Sequence, residues 1–308
     1  TIYVDKLDAT RDVYGLYAKG FIPLDALRSR AERKKAEAEM NLTLNMDNTE
    51  LGVLTAFKQV DWATGNMQGN IILSGTLDSP KVNGSLKLED GTLKIKNVNP
   101  VFEKLQVDAA FNGSKIELSK LAAALGKKGT ISADGYYDLA ADDSNVYKFN
   151  VHAKDAEIAY SSMFKGIINS ELEITPQIYR NYWQGSKTQS GTRSLIKGNV
   201  RLDDVVANVV TVDDSEVGSQ TNVGLNLKVE LGPKIHMLNP MLYDIWLSGG
   251  LDIKGGYYSQ TTTNEAQDEK IINRHNNGPE GIRIDGKIVA DKGSITYLRT
   301  PFKITKAE

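Results

Sequence analysis

Apolar and polar residues alternate along most of the chain, and this pattern limits the possible folds more than any other feature of the sequence. Residues 223–231 and 245–253 carry an aliphatic residue or glycine at every second position, with mostly polar residues between them. Residues 105–111 and 282–290 repeat the pattern. A period of two places each apolar set on one face of a β-strand. Similar segments recur about every 8–15 residues over nearly the whole chain, which predicts an all-β fold of roughly 18 strands.

The strongest turn signal in the sequence is Asp90-Gly91, which lies between two alternating segments. A two-residue turn there pairs Leu88 with Leu93, so that apolar side chains face each other across the hairpin. A slip of one residue would place polar side chains opposite apolar ones. We therefore predict an antiparallel hairpin centred on Asp90-Gly91.

A second segment of the chain resembles this one. Residues 84–95 align without gaps on residues 286–297, and the glycines, the apolar positions and the turn dipeptide coincide, with Lys292-Gly293 in the second copy. The alignment indicates an internal hairpin repeat and an elongated array of antiparallel strands. The simpler interpretation is that any two antiparallel hairpins share part of this pattern.

Three segments depart from the alternation. Residues 23–40 are rich in Ala, Leu, Glu, Arg and Lys and begin with a proline, which predicts a short helix. Its basic run from Arg28 to Lys35 fits a solvated helix face better than a contact with anionic headgroups. Residues 177–194 and 260–279 are polar, and we predict long loops there. No segment shows the change in composition that marks a domain boundary, so we interpret the whole chain, residues 1–308, as one elongated module of a longer protein.

The composition leaves little material for catalysis. The chain has no cysteine, which excludes disulfides, thiolate metal sites and thiol catalysis, and it has only three histidines among 308 residues. We find no phosphate-binding loop, no nucleophile elbow and no pair of histidines at ligand spacing. With 37 basic and 39 acidic residues, the formal net charge of -2 gives no reason to expect a nucleic acid partner. We therefore predict a protein that is not an enzyme and has no cofactor, no metal site and no catalytic residues.

One face of the predicted sheet remains as the candidate site. A sheet of roughly 18 strands exceeds the ~10 at which open sheets curl, split or flatten, and its apolar face must be covered by another layer, by closure or by a ligand. The predicted helix is too short and too charged to cover it. We predict a groove whose apolar lining binds lipid chains, with a sandwich or β-helix that covers itself as the alternative. The lining positions given by the alternation are Val82, Leu86, Leu88, Leu93, Ile95, Leu105, Val107, Phe111, Val223, Leu225, Leu227, Val229, Ile245, Leu247, Leu251, Ile253, Ile282, Ile284, Ile288 and Ile295.

Part of this pattern resembles the repeat of the TamB family of AsmA-like bacterial envelope proteins. In that repeat a Gly-x-Leu is followed by a proline and then by Gly-x-Leu-x-Leu-x-(Asp/Asn)-Gly, and residues 75–91 read GTLDSPKVNGSLKLEDG. Residues 102–139 continue the pattern, and residues 222–231, 245–254 and 286–304 resemble the C-terminal domain of the family. The resemblance implies a β-taco, which is an elongated, curled antiparallel β-sheet with a U-shaped apolar groove.

The resemblance also implies a location and a function. Members of the family are anchored in the inner membrane of bacteria with two membranes and span the periplasm. They conduct phospholipids toward the outer membrane, and some have an outer-membrane β-barrel protein as a partner. We therefore predict a phospholipid-conducting segment whose inner-membrane anchor lies outside this chain. The alternatives are an assembly factor that offers sheet edges to client β-barrel strands and a structural β-solenoid or surface adhesin with a closed core.

Overall fold

The computed structural model divides the chain into two compact units, Thr1–Ile158 and Ala159–Glu308. The described residues are 2–11, 14–22, 39–76, 79–139, 146–160, 163–181, 189–208, 223–239, 241–256, 282–297 and 300–305. The helix predicted at 23–40 lies outside them except for Glu39 and Met40, which begin a strand. The loop predicted at 260–279 lies outside them entirely.

The first unit is an antiparallel sheet in which strands adjacent in sequence are mostly adjacent in space. Its strands are β1 (Ile2–Arg11), β2 (Tyr14–Ile22), β3 (Glu39–Glu50), β4 (Val60–Thr76), β5 (Pro80–Ile95), β6 (Val98–Asn99), β7 (Phe102–Asn112), β8 (Lys115–Leu125), β9 (Gly129–Asp138) and β10 (Val146–Tyr160). The hydrogen-bonded order is β1-β2-β3-β4-β5-β7-β8-β9-β10, and the short strand β6 pairs with β10 off this path. A 3-10 helix, Leu51–Ala56, follows β3.

The described residues of the second unit form six strands, which pair in sequence order. They are β11 (Phe164–Asn181), β12 (Gln189–Ala207), β13 (Val223–Asn239), β14 (Tyr243–Gly256), β15 (Arg283–Tyr297) and β16 (Thr300–Ile304). Strands β12 and β13 run parallel, and the other pairs are antiparallel. Among the described residues, the first and last strands of each unit do not pair with each other, so neither sheet closes. The prediction of an all-β fold built on an open, mostly antiparallel sheet is confirmed.

The hairpin predicted at Asp90-Gly91 is wrong. Both residues lie inside β5, and Leu88 and Leu93 belong to the same strand. The register against β7 jumps from Leu88 to Gly91, which marks a β-bulge. Asp90 has a φ of 55°, in the left-handed region that short polar side chains tolerate. Because a bulge and a two-residue turn both use this conformation, the dipeptide that indicates one also fits the other.

The hairpin predicted at Lys292-Gly293 is wrong for the same reason. Both residues lie inside β15, and the register against β14 shifts between Trp246 and Leu247. The two similar segments are therefore two bulged strands. In both copies the extra residue of the bulge lets the apolar positions before and after it share one face of the sheet.

Glycines that begin the two copies have a structural reason of their own. Gly84 and Gly286 have φ values of 127° and 141°, a backbone conformation that L-residues rarely adopt. A Cβ on Gly84 would lie 1.8 Å from the backbone oxygen of Asn70, and one on Gly286 would lie 2.3 Å from that of Gly250. The neighbouring strand therefore approaches too closely for any side chain at either position.

Further bulges recur across both sheets. Four other non-glycine residues with positive φ lie at register shifts, namely Asn48 in β3, Lys104 in β7, Asp204 in β12 and Lys234 in β13. A bulge bends its strand and increases the local twist. Repetition of this feature from strand to strand is the kind of backbone device that curves a sheet.

The loop predicted at 177–194 is much shorter than expected. Residues 177–181 extend β11, residues 189–194 begin β12, and the two segments pair antiparallel from Gln177 opposite Arg193 onward. Arg193 is buried, and its Nε donates a hydrogen bond of 2.8 Å to Gln177 Oε1. Polar composition indicated a loop here, but these side chains satisfy each other across a ladder. The remaining residues, 182–188, lie outside the described part of the chain.

Candidate functional site

Apolar side chains of the first unit meet on one face of its sheet. Residues directly opposite each other in a ladder point to the same face, and Leu88 lies between Met67 on β4 and Val107 on β7. The other pairs on this face are Leu86 with Ala109, Leu93 with Ala63, Leu105 with Gly91, Phe111 with Gly84, Val82 with Leu73, and Ile95 with Val60. All the lining positions predicted for this unit therefore share a face.

Part of this face is packed as a hydrophobic core. Leu51, from the 3-10 helix, lies in a cluster of buried side chains together with Ala63, Met67, Leu88, Leu105 and Ala123. Leu51 is 2% exposed and Leu88 is 3% exposed. Leu54 packs against the same cluster, whereas Val53 points to solvent. Two turns of 3-10 helix therefore cover this part of the apolar face.

The second unit has an apolar face that continues across its ladders. Leu227 on β13 pairs with Gly198 on β12 and with Ile253 on β14, and Ile253 pairs with Ile284 on β15. The other rows of this face are Ile174–Ile196–Leu225, Val200–Val229–Leu251–Gly286, Ile168–Leu202–Leu231–Gly249–Ile288, Ile235–Leu247–Ala290 and Tyr243–Ile295–Phe302. Val223, opposite Ser194, and Ile245, opposite Met237, lie on it too. Of the predicted lining positions in this unit, Ile282 alone precedes its strand.

Little of this second face is buried. Among the described residues of the unit, the hydrophobic side chains less than a tenth exposed are Val205, Val229 and Ile235. Exposure is greatest on the last two strands, where Ile288 is 39% exposed, Phe302 56% and Ile284 59%. A large exposed apolar surface on a folded protein usually marks a site of interaction. We therefore take the apolar face of β11–β16 as the candidate functional site.

Sequence reasoning missed one side of this face. Strands β11 and β12 contribute Ile168, Leu172, Ile174, Ile196, Val200 and Leu202, none of which was predicted. Alternation is present in both strands, but Ser170 and Gly198 interrupt its apolar positions. Ile235 was missed because the bulge at Lys234 shifts the alternation by one position.

The opposite face of both sheets carries charges. Lys87 Nζ lies 2.7 Å from Glu89 Oε1, and this hydrogen bond, followed by the charge of Lys87, lowers the pKa of Glu89 below its ordinary value. In the second unit Arg201 contacts both Asp203 and Glu230. These carboxylates raise the pKa of Arg201, and its hydrogen bond to Asp203 is the largest cause. Exposed ion pairs of this kind contribute little stability. The described residues form no group of three or more side chains suited to hold a metal ion.

Comparison with protein-family models, curated proteins and solved structures gives no match to this chain. In the described part of the chain, no helix combines the length and the apolar character needed to cross a membrane. The candidate site is therefore interpreted from its own geometry, which is an apolar face backed by a charged one.

Proposed function

We propose that this protein binds the acyl chains of phospholipids on its apolar face and conducts them along it, as a segment of a bridge between the two membranes of a bacterial envelope. The observation that carries the proposal is the apolar face of β11–β16, which is continuous across the ladders, mostly half-buried on β11–β14 and exposed on β15 and β16. A protein core would bury these side chains, whereas a lipid-binding surface has to leave them accessible.

The energetics of lipid transfer favour such a surface. Burial of one methylene group is worth about 0.8 kcal/mol, so exposing the roughly thirty methylenes of a two-chain lipid to water costs on the order of 24 kcal/mol. An apolar face replaces the bilayer interior with a similar medium, and the net change on transfer is then small. The headgroup stays in water at the open side of the face.

The dimensions of the face agree with the size of an acyl chain. From β11 to β16 there are five interstrand steps of ~4.8 Å, or roughly 24 Å. One leaflet of a bilayer has a hydrocarbon thickness of about 15 Å, half of the ~30 Å core. An acyl chain therefore fits across the strands, and neighbouring rows of Leu, Ile and Val offer it equivalent positions along them.

Two resemblances support the location that we propose: residues 75–91 and 102–139 resemble the TamB repeat, and residues 222–231, 245–254 and 286–304 resemble the C-terminal domain of that family. From these resemblances we propose that the chain works in the periplasm and that an outer-membrane β-barrel protein is its partner. The charged face opposite the apolar one is suited to an aqueous compartment. The chain offers no nucleotide-binding loop in its sequence, so we assign the energy for net transport to another component.

Mass spectrometry of the lipids retained by the purified protein tests the proposal. Leu227→Asp places a carboxylate on the apolar face, and we expect it to reduce the phospholipid retained per protein at least several-fold. Asn226→Asp is the matched control, because Asn226 lies on the polar face opposite Lys197 and Lys254.

Equal retention by Leu227→Asp and Asn226→Asp would contradict the proposal, provided that both variants show the thermal unfolding of the parent protein. A photo-crosslinker at Leu227 gives a second readout. We expect adducts with phospholipid. Adducts with β-barrel proteins alone would favour an assembly factor. A lack of any adduct, together with an interior that is closed to solvent, would favour a structural solenoid.

A further inference from the structure

The ends of strands β14–β16 expose an unusual set of apolar side chains. Met241 is 79% exposed and Leu242 is 50% exposed, both in the turn between β13 and β14. Tyr297 at the end of β15 is 66% exposed, and Ile295 is 41% exposed. With Phe302 of β16 they form a set that we call the apolar tip.

Strand register places these residues at one end of the sheet. Tyr243 pairs with Ile295, and Ile295 pairs with Phe302. The amide of Thr296 donates a hydrogen bond of 2.8 Å to the backbone oxygen of Leu242, which fixes the turn beside the end of β15. The apolar tip is therefore one surface supported by backbone hydrogen bonds across three strands.

Among the described residues, charge is absent from the tip and returns just behind it. Among the described residues 241–243, 295–297 and 300–302, none is charged; Leu298 and Arg299 lie outside the described residues. The next row contains Asp244 and Lys303, both opposite Ser294. From the end of the sheet inward, the surface is therefore first apolar and then charged.

An aromatic residue with basic neighbours lies in the charged zone. Trp246 stacks on His236, with ring centroids 4.5 Å apart and an angle of 3° between the planes. Lys292 Nζ lies 5.0 Å from the centre of the Trp246 ring. His236 Nε2 lies 2.7 Å from Asp244 Oδ1. An aromatic ring with a polar edge beside a lysine is typical of side chains at the boundary between lipid and water.

From this order of surfaces we infer that the apolar tip inserts into the surface of a phospholipid bilayer, with Trp246, Lys292 and Lys303 at the level of the headgroups. The three uncharged rows span about 10 Å at ~3.3 Å per residue, which matches the 5–10 Å to which interfacial protein segments penetrate. The inference rests on the proposed function. The apolar positions of β15 continue from Ile295 to Ile288 and Ile284, which gives a lipid at the tip a path onto the apolar face.

Absence of cysteine allows a test with one fluorophore. Met241→Cys of the full chain is labelled with an environment-sensitive nitrobenzoxadiazole dye and mixed with vesicles of phosphatidylethanolamine and phosphatidylglycerol. We expect a several-fold rise in fluorescence with a blue shift. Val53→Cys is the control. Val53 is an apolar residue of the 3-10 helix and is 50% exposed, and the fluorescence of a dye there should not change.

Charge substitutions give the matching loss of binding. Leu242→Asp with Phe302→Asp should lower vesicle co-sedimentation at least tenfold, whereas Val53→Asp with Phe57→Asp should leave it unchanged. Both pairs replace exposed apolar residues, so a general loss of hydrophobicity cannot explain a difference. Lys292→Ala with Lys303→Ala should weaken binding to these anionic vesicles and not to vesicles of phosphatidylcholine.

Several outcomes would overturn the inference. One is that the fluorescence of labelled Met241→Cys does not change on vesicles, and another is that labelled Val53→Cys changes equally. A third is a change in fluorescence that depends on protein concentration without vesicles, which would assign the tip to a contact with a second copy of the chain. Lipid retention separates the two proposals. If Leu227→Asp reduces lipid retention while labelled Met241→Cys gives no change on vesicles, the lipid-binding face stands and the tip does not. If Met241→Cys reports insertion while Leu227→Asp has no effect on retention, the tip stands and the lipid-binding face does not.

Discussion

Two apolar surfaces of the molecule arise from the same alternation and differ in what covers them. In the first unit Leu51 and Leu54 of the 3-10 helix pack on Leu88 and its neighbours. In the second unit the equivalent rows end on β15 and β16, where Ile284 and Phe302 are more than half exposed. The strands are alike in both cases, down to the shared bulged segments at 84–95 and 286–297.

This difference shows that an apolar sheet face is a core only where something local folds over it. Six residues, Leu51–Ala56, are sufficient to do so in the first unit. The described residues of the second unit include no such segment over β15 and β16, and their side chains stay accessible. Stability and binding therefore have separate places in the chain, and substitutions can distinguish them.

The largest expected effect separates the packed surface from the open one. Leu88→Ala removes a buried side chain from the cluster under the 3-10 helix, and we expect a loss of about 2–5 kcal/mol in the free energy of unfolding. Ile288→Ala removes a side chain of similar size from the open face, and we expect a loss below about 1 kcal/mol. Chemical denaturation followed by circular dichroism measures both. Equal losses would mean that the face of β15 is covered as well.

A second effect should be the same in both units, because it depends on the backbone. Gly84→Ala and Gly286→Ala each place a Cβ against a backbone oxygen of the adjacent strand at positive φ. We expect each to cost about 1–3 kcal/mol in the free energy of unfolding. Gly52→Ala is the control, since a Cβ there would meet only the Glu50 side chain at 3.7 Å. A smaller cost for Gly286→Ala would indicate that the open sheet relaxes more easily.

Sequence alone was sufficient for the fold class and for which residues share a face. Side-chain direction follows from a period of two, so Leu227 and Val229 were assigned to the apolar face without knowing their partners. The rule breaks at the bulge beside Asp90, and Leu88 and Leu93 were assigned to one face only because the wrongly predicted hairpin also placed them together. A residue in the left-handed conformation serves a turn and a bulge equally, and only the partner strand distinguishes them.

Other features depend on contacts that local sequence does not encode. Alternation reads the same for parallel and antiparallel pairing, so the parallel pair of β12 with β13 could not be predicted. Residues 51–56 are too few to give a helical period, and the cover that Leu51 provides was missed for that reason. Whether an apolar face is packed or open therefore remained outside the reach of the sequence.

The third effect uses the bulges and has the opposite sign. Lys104 has a φ of 52°, which costs a residue with a Cβ about 1–2 kcal/mol, so Lys104→Gly should raise the free energy of unfolding by about 0.5–1 kcal/mol after the entropy of glycine is included. Lys234→Gly should gain a few tenths less, because Lys234 Nζ lies 2.9 Å from Asp204 Oδ1 and that ion pair is lost. Lys120→Gly, within β8 and without positive φ, should be destabilising. A loss for Lys104→Gly would mean that its side chain has contacts that outweigh the strain.

The smallest effect concerns the polar face, which should contribute equally little in both units. Lys87 lowers the pKa of Glu89, so the ion pair stabilises the folded protein above the ordinary pKa of a glutamate, and this contribution is lost as the pH falls through the lowered value. Lys87→Met should return the pKa of Glu89, measured by NMR titration, to its ordinary range, and salt should do the same in part. Because both side chains are exposed, the melting temperature of Lys87→Met at neutral pH should stay close to that of the parent. A large change in this melting temperature would mean that charges on the polar face also contribute to the difference in stability between the two units, in addition to coverage of the apolar face.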